Sequence, residues 1–214
     1  GVIMHSLSVM LKPASGQCNM HCDYCSYCDE MEQRAQASYG FMSEETLQNV
    51  IRKTMLNADQ EISFSYQGGE PTLAGLAFFE KAVELQRKYN RKGIRVHNAL
   101  QTNGYALNEK WCQFFARNQF LIGLSIDGMQ ETHDAYRHGR ILQDKEQKTG
   151  QSRFRIPIES ETCETDIVQG QKNQTYERAL HAADLLTRYG VDFNILTVVN
   201  RQATVIHERA FVMK

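Results

Sequence analysis

Apolar positions along the chain fall into two alternating patterns, short runs and stretches spaced three and four residues apart. Residues 7–11 form a brief apolar run that stops at Lys12-Pro13 and reads as a strand. Ser43 then stands before Leu47, Val50, Ile51 and Met55, which recur at helical spacing, with Glu44 and Glu45 in the first turn where the helix dipole favours acids. The same alternation continues as strand 62–66, helix 76–89 carrying Phe79, Ala82, Val83 and Gln86, strand 94–100, and helix 109–118 with Trp111, Phe114 and Phe115. It ends with strand 120–126, helix 175–189 and strand 191–199. Repeated strand-helix units of this kind predict an α/β fold with a parallel sheet covered by helices.

On that map the least ordinary residues all follow strands. A cysteine-rich loop follows the first strand, Gln67-Gly68-Gly69-Glu70-Pro71 the second, Thr102-Asn103-Gly104 the third, Asp127-Gly128 the fourth and Asn200-Arg201 the fifth. The carboxyl ends of parallel strands form the rim where barrels and open α/β sheets alike place ligands and chemistry, so five loops are expected to converge on one site. Glycine-containing turns commonly end strands, which accounts for the glycines. It does not account for Glu70 beside a double glycine or for the cysteines at the same rim.

Composition narrows the picture without identifying it. With 214 residues, 42% hydrophobic, and a net charge of -1, the chain can bury a sizeable core and lacks the basic excess that binds nucleic acid. No stretch approaches the roughly 18 consecutive apolar residues of a membrane span. The first residues carry neither basic charge nor an apolar run before a cleavage site, so the expected location is the cytoplasm.

That compartment bears on the cysteines. Four of six lie between Cys18 and Cys28, and Cys18, Cys22 and Cys25 form a C-x3-C-x2-C triplet. Disulfides would need an oxidising compartment. Structural zinc usually draws on two separated pairs, whereas Cys112 and Cys163 are lone and distant; a four-thiolate site that includes Cys28 would be crowded for zinc. A ferredoxin-type run would place its last cysteine one residue later and follow it with proline, where this chain has Asp29 after Cys28. The spacing favours three thiolates holding three irons of a cubane cluster, the fourth iron being left open to a small molecule. An open iron can be chelated by the amine and carboxylate of an amino acid. Gly68 and Gly69 would let backbone carbonyls approach an ammonium, Glu70 could accept from it or brace the turn, and Tyr24 could offer a face or backbone group to a heteroaromatic ring.

These residues carry a resemblance. The C-x3-C-x-aromatic-C loop, followed after the next strand by Gly-Gly-Glu-Pro, resembles the radical S-adenosylmethionine (SAM) enzymes, whose usual core is a (β/α)6 partial TIM barrel. Lys12-Pro13-Ala14-Ser15, the run from Tyr66 to Leu76, Leu100-Gln101-Thr102-Asn103-Gly104, Gly123-Leu124-Ser125-Ile126-Asp127-Gly128 and the run from Phe193 to Asn200 look more narrowly like the anaerobic sulfatase-maturating enzymes. The resemblance implies an incomplete barrel of about five βα units. Residues 1–140 and 172–214 would be its two portions, and the polar stretch 141–171 between them reads as a disordered insertion. Five units cannot close even a six-unit barrel, so strand 191–199 is expected at an open edge.

By resemblance, Cys18, Cys22 and Cys25 ligate a 4Fe-4S cluster, and Gly68, Gly69 and Glu70 hold the methionine amine of SAM. Ser125 and Arg137 match contacts to its ribose and carboxylate, while Gln67 and Tyr27 match positions near the peptide substrate. The implied reaction reduces SAM, with electrons from a donor such as a flavodoxin or ferredoxin, to a 5'-deoxyadenosyl radical. The radical takes a hydrogen from the β-carbon of a cysteine or serine in a sulfatase polypeptide, and oxidation then yields Cα-formylglycine. After Thr204 the likeness ends, and the family's C-terminal domain, with its auxiliary clusters and acidic base, has no counterpart in these residues; the expectation is a truncated form. Another radical peptide-modifying enzyme and a non-catalytic fragment that binds cluster or zinc stay open as alternatives.

Other conspicuous residues invite plain readings. His97 and His181 show no ligand spacing and read as packing or surface residues, Cys112 as a buried thiol, Cys163 as an incidental exposed one, and Cys28 has no role by resemblance.

Overall fold

The computed structural model describes residues 4–27, 33, 35, 38–139 and 174–199. The polar stretch 141–171, Cys28, Cys163 and Asn200-Arg201 lie outside the described residues.

Five parallel strands form the sheet: β1 (Met4–Leu11), β3 (Ala58–Tyr66), β4 (Arg95–Thr102), β5 (Phe120–Ser125) and β7 (Phe193–Leu196), in the spatial order β1-β3-β4-β5-β7. The crossovers carry α1 (Glu44–Asn57), α2 (Leu76–Tyr89), α3 (Glu109–Arg117) and α5 (Thr175–Arg188). Two of the predicted helices, α1 and α3, begin at side-chain caps. Ser43 Oγ accepts from the Thr46 N–H at 3.1 Å and Asn108 Oδ1 from the Trp111 N–H at 3.2 Å, each cap contributing on the order of 1 kcal/mol.

The alternation within strands decides between an open sheet with helices on both faces and a partial barrel. Ile62, Phe64 and Tyr66 of β3, Leu100 of β4, and Ile122 and Leu124 of β5 all point to one face and are buried. There they meet Leu47, Ile51 and Met55 of α1, Phe79 and Leu85 of α2, Trp111 and Phe115 of α3, and Ala182 and Leu186 of α5. Aromatic contacts run through this layer, with Phe79 edge-on to Tyr66 at 5.1 Å and to Trp111 at 5.4 Å. The opposite face carries the register row Met10, Ser65, Ala99 and Leu121. Met10 is 58% and Leu121 43% exposed, so among the described residues no helix covers that side. A parallel sheet dressed on one face only is the wall of a partial barrel, its bare face the concave interior.

Three features differ from the pattern-based expectation. The last strand spans only Phe193–Leu196. Val191 is instead buried against the end of α5, where its N–H bonds Leu186 O, and past Leu196 the donors turn away from the ladder: Thr197 Oγ1 bonds Ile126 O and Val198 N–H bonds Asp127 Oδ1. Within the described residues β7 is the sheet's edge, as expected, with Ile195, Leu196, Val198 and Val199 exposed. Second, a short helix, α4 (Gln130–Tyr136), follows β5. Third, β2 (Met20–Cys22) and β6 (Arg137–Gly139) form an antiparallel ribbon that pairs Met20 with Gly139, His21 with His138 and Cys22 with Arg137. The cysteine segment is therefore part strand, held by the stretch that carries Arg137.

Candidate functional site

The rim loops meet at close range because two glycines let them. Gly69 has φ +53°, and a Cβ built there would lie 2.0 Å from Gln17 O and 2.8 Å from the Gly16 and Gln17 carbonyl carbons, so the turn after β3 presses on the backbone just before Cys18. At Gly68, with φ +85°, a Cβ would meet the Lys12 stem at 2.9 Å and Ser15 O at 3.1 Å. The Glu70 N–H then donates to Gln17 O at 2.8 Å. The loops after β1 and β3 are thus joined backbone to backbone.

Glu70 also fastens the loop after β4. Its carboxylate is 1% exposed and accepts from Thr72 N–H (3.0 Å), Thr72 Oγ1 (2.7 Å), Thr102 Oγ1 (2.8 Å) and Asn103 N–H (2.8 Å). Burial pushes its pKa up, and the donors from Thr72, Asn103 and Thr102 work against that shift. A side chain so fully engaged is a brace between two loops.

Cys18, Cys22 and Cys25 lie on the segment so positioned, half-buried and as thiols. The Met20 N–H points at Cys18 Sγ from 3.4 Å and the Asn103 side-chain Nδ2 from 3.8 Å. Burial, assisted by Glu70, pushes the bare Cys18 thiol up to about 12; cationic iron is the kind of partner that would draw off its proton. Among the described residues no three His, Cys, Asp or Glu side chains are gathered around the position of a single metal ion. A three-thiol loop with N–H donors aimed at sulfur fits the chemistry of an iron-sulfur cluster, whose thiolates each bind a different iron.

Asp127, just past β5, is the second junction. It is 2% exposed and takes two bonds from Arg137, Nε to Oδ2 at 2.7 Å and Nη2 to Oδ1 at 3.1 Å. Oδ2 also accepts from the Tyr24 hydroxyl of the cysteine loop, and Oδ1 from the Val198 N–H beyond β7 at 2.9 Å. Burial alone would raise the Asp127 pKa; the bonds from Arg137, Tyr24 and Val198 outweigh it and hold the carboxyl below its usual value. The Arg137 guanidinium lies 5.4 Å from the Tyr24 ring centre.

Behind this junction, His133 Nδ1 accepts from the Asp127 N–H at 3.2 Å and its ring stands edge-on to Tyr176. Burial, then the nearby Arg137 charge, lowers its pKa to about 4, so the ring is neutral near pH 7. An unfolded chain takes up that proton below about pH 6.5 while the folded chain resists until about 4. Stability should therefore be complete above pH 6.5 and fall as pH drops toward 4. Urea unfolding at pH 7 and pH 5 checks this: the wild type should weaken over that interval by more than His133→Asn does.

The remaining predicted residues occupy the same rim. Ser125 ends β5 and is buried, Gln67 follows β3 with its N–H on Leu11 O, and Tyr27 lies half-buried with the Lys12 ammonium 4.8 Å from its ring centre. His97 and His181 are exposed, and Cys112 is a buried thiol whose pKa burial pushes up to about 11. Pattern reading marked Asn103 and Asp127 as rim residues without finding their partners. Nothing local singled out their pairing, since Glu131 and Asp134 lie between Asp127 and Arg137 in the same short segment.

Residues 13–145 match the radical SAM superfamily. The chain belongs to it. That superfamily uses a 4Fe-4S cluster and SAM. Over 196 residues the chain is 40% identical to a cysteine-type anaerobic sulfatase-maturating enzyme of Clostridium perfringens, covering 92% of this chain and 45% of that one. It is 34% identical to a serine-type enzyme of Bacteroides thetaiotaomicron over 195 residues, 91% of this chain and 40% of the relative. The chain thus spans about half the length of the curated relatives it matches. Its fold superposes on native anSMEcpe with bound AdoMet with a TM-score of 0.77 at 37% identity, covering 96% of this chain and 48% of that one. For the same protein with AdoMet and the Kp18Cys peptide the TM-score is 0.75 at 36% identity, with 96% and 47% covered. Among the described residues no helix is long and apolar enough to cross a membrane.

Proposed function

We propose that this chain carries the cofactor-cleaving portion of an oxidoreductase that oxidises a cysteine or serine of a sulfatase polypeptide to Cα-formylglycine. The observation that supports it best is the meeting of the cysteine segment, the Gly68-Gly69-Glu70 turn and the Asp127-Arg137 pair on one rim, in a chain 40% identical to a sulfatase-maturating enzyme. Cys18, Cys22 and Cys25 would hold three irons of a 4Fe-4S cluster. Bound there, cluster and SAM would, with one electron from a donor such as a flavodoxin or ferredoxin, supply a 5'-deoxyadenosyl radical, methionine being released, that is able to remove a hydrogen from a carbon atom.

Around it the chain's own groups bind and orient. The carbonyls of Gly68 and Gly69 receive the methionine ammonium, and Glu70, spent on Thr72, Thr102 and Asn103, fixes the turn that presents them. Arg137, aligned by Asp127, serves the methionine carboxylate, Ser125 the ribose, and Tyr24 the adenine. Gln67 and Tyr27 stand near the peptide.

Anaerobic reconstitution, metal analysis and an assay for 5'-deoxyadenosine test the reading. Iron and sulfide should load in near-cluster ratio and SAM should be cleaved on reduction. Cys18→Ala, Cys22→Ala and Cys25→Ala should each abolish the iron-sulfur absorption and the cleavage, whereas Cys112→Ala keeps both. Zinc in place of iron, or a loaded cluster that never yields 5'-deoxyadenosine, would refute it. Mass spectrometry of a sulfatase-derived peptide incubated with the reduced protein then reports whether these residues take the substrate as far as formylglycine.

A further inference from the structure

We propose that Asn103 tunes the cluster: its side-chain amide donates to the Cys18 sulfur and raises the reduction potential there, with Glu70 as the buried strut that sets its position. This rests on the cluster reading above and adds a residue that the cysteine spacing does not reveal.

The amide has one orientation. Asn103 Oδ1 accepts from the Tyr105 N–H at 2.9 Å, which turns Nδ2 toward the cysteine segment. Nδ2 carries two hydrogens and meets two acceptors, Asn19 Oδ1 at 2.9 Å and Cys18 Sγ at 3.8 Å. The Asn103 N–H is pinned to Glu70 Oε2, and the Glu70 N–H to Gln17 O. The circuit from Gln17 through Glu70 and Asn103 back to Cys18 and Asn19 is closed, so the amide cannot drift from the sulfur without breaking one of these part-buried bonds. Loop tying alone would explain the Asn19 bond; it would not require the second hydrogen to face sulfur.

One electron from a low-potential donor of the flavodoxin or ferredoxin class takes the cluster from its 2+ to its 1+ state, and part of the added negative charge falls on the thiolates. A donor at a desolvated sulfur stabilises the reduced state more than the oxidised one and so raises the potential.

The test is an EPR-monitored redox titration of the reconstituted protein. Asn103→Leu should move the midpoint to a more negative potential, the one-electron reduction equilibrium falling by up to about tenfold, or about 59 mV. Asn19→Leu removes the competing acceptor while the Tyr105 and Glu70 bonds still hold the amide, so its midpoint should stay or move in the positive direction; a purely structural role would shift both variants alike. A second measurement uses the same variants. With the asparagine amide nitrogen isotope-labelled, pulsed EPR of the reduced wild type should show a nitrogen coupling to the cluster that Asn103→Leu abolishes and Asn19→Leu keeps. A wild type that takes up no cluster overturns the proposed function and this inference with it. If the wild type loads and cleaves SAM, yet Asn103→Leu titrates at the wild-type potential or no nitrogen coupling is seen, this inference alone falls.

Discussion

Gly69→Ala should unfold the rim and empty it of iron, at a cost of about 3–5 kcal/mol. Two penalties combine. The residue sits at φ +53°, where a side chain costs about 1–2 kcal/mol. The larger one is steric: the new methyl would lie 2.0 Å from Gln17 O, and the obstacle is backbone, which cannot rotate aside as a side chain would. To relieve the contact the Gln17-Cys18 segment must move, which breaks the Glu70 N–H bond to Gln17 O and displaces Cys18, the first of the proposed cluster ligands. Gly75 separates these effects. It also has positive φ, +81°, with extended ψ of 156°, but a Cβ there meets nothing within 4 Å, so Gly75→Ala should carry only a local backbone penalty of about 1–3 kcal/mol and leave iron loading intact. Urea unfolding with parallel iron analysis checks both; equal behaviour of the two variants would show that φ, and not the press of one loop on another, is why position 69 is glycine.

That contact is also the kind of fact a sequence withholds. The helices were legible because their signals are local: Ser43 caps, and Leu47, Ile51 and Met55 repeat at helical spacing. The parallel sheet followed from the alternation of helices with short apolar runs. By contrast α4 buries Thr132 and His133, two polar residues, so no apolar period marks it. β2 and β6 are three residues each, and only their pairing across the chain makes them strands. For β7 the apolar run 191–199 overstated the strand, since its last residues bond to Ile126 and Asp127 instead of continuing the ladder.

The site divides in the same way. The cysteine triplet and the double glycine are chemical patterns readable from spacing. The bonds that align them join Asn103 to Cys18 and Asp127 to Tyr24, partners 85 and 103 residues apart, and a side chain's partner at that range is set by the fold.

Removing Asp127 should be as costly as the glycine change, for an electrostatic reason. Asp127→Ala leaves the Arg137 guanidinium, 6% exposed, without its carboxylate, and leaves the Tyr24 hydroxyl and Val198 N–H without the acceptor each now uses. Breaking a buried ion pair from one side costs about 3–5 kcal/mol, because the surviving charge stays desolvated. Replacing both charges need not be costly, since a buried pair often gives way to apolar residues of similar volume with little loss. Asp127→Leu combined with Arg137→Met should therefore recover most of the stability lost in Asp127→Ala. It should not recover SAM binding, because the group proposed to meet the methionine carboxylate is gone along with its aligning partner. Equilibrium binding of SAM to the reconstituted variants, set beside their urea midpoints, separates the two roles. If the double variant binds SAM as the wild type does, the pair is only a fastening between β5 and β6, and the cofactor's carboxylate must be met by other residues of the rim.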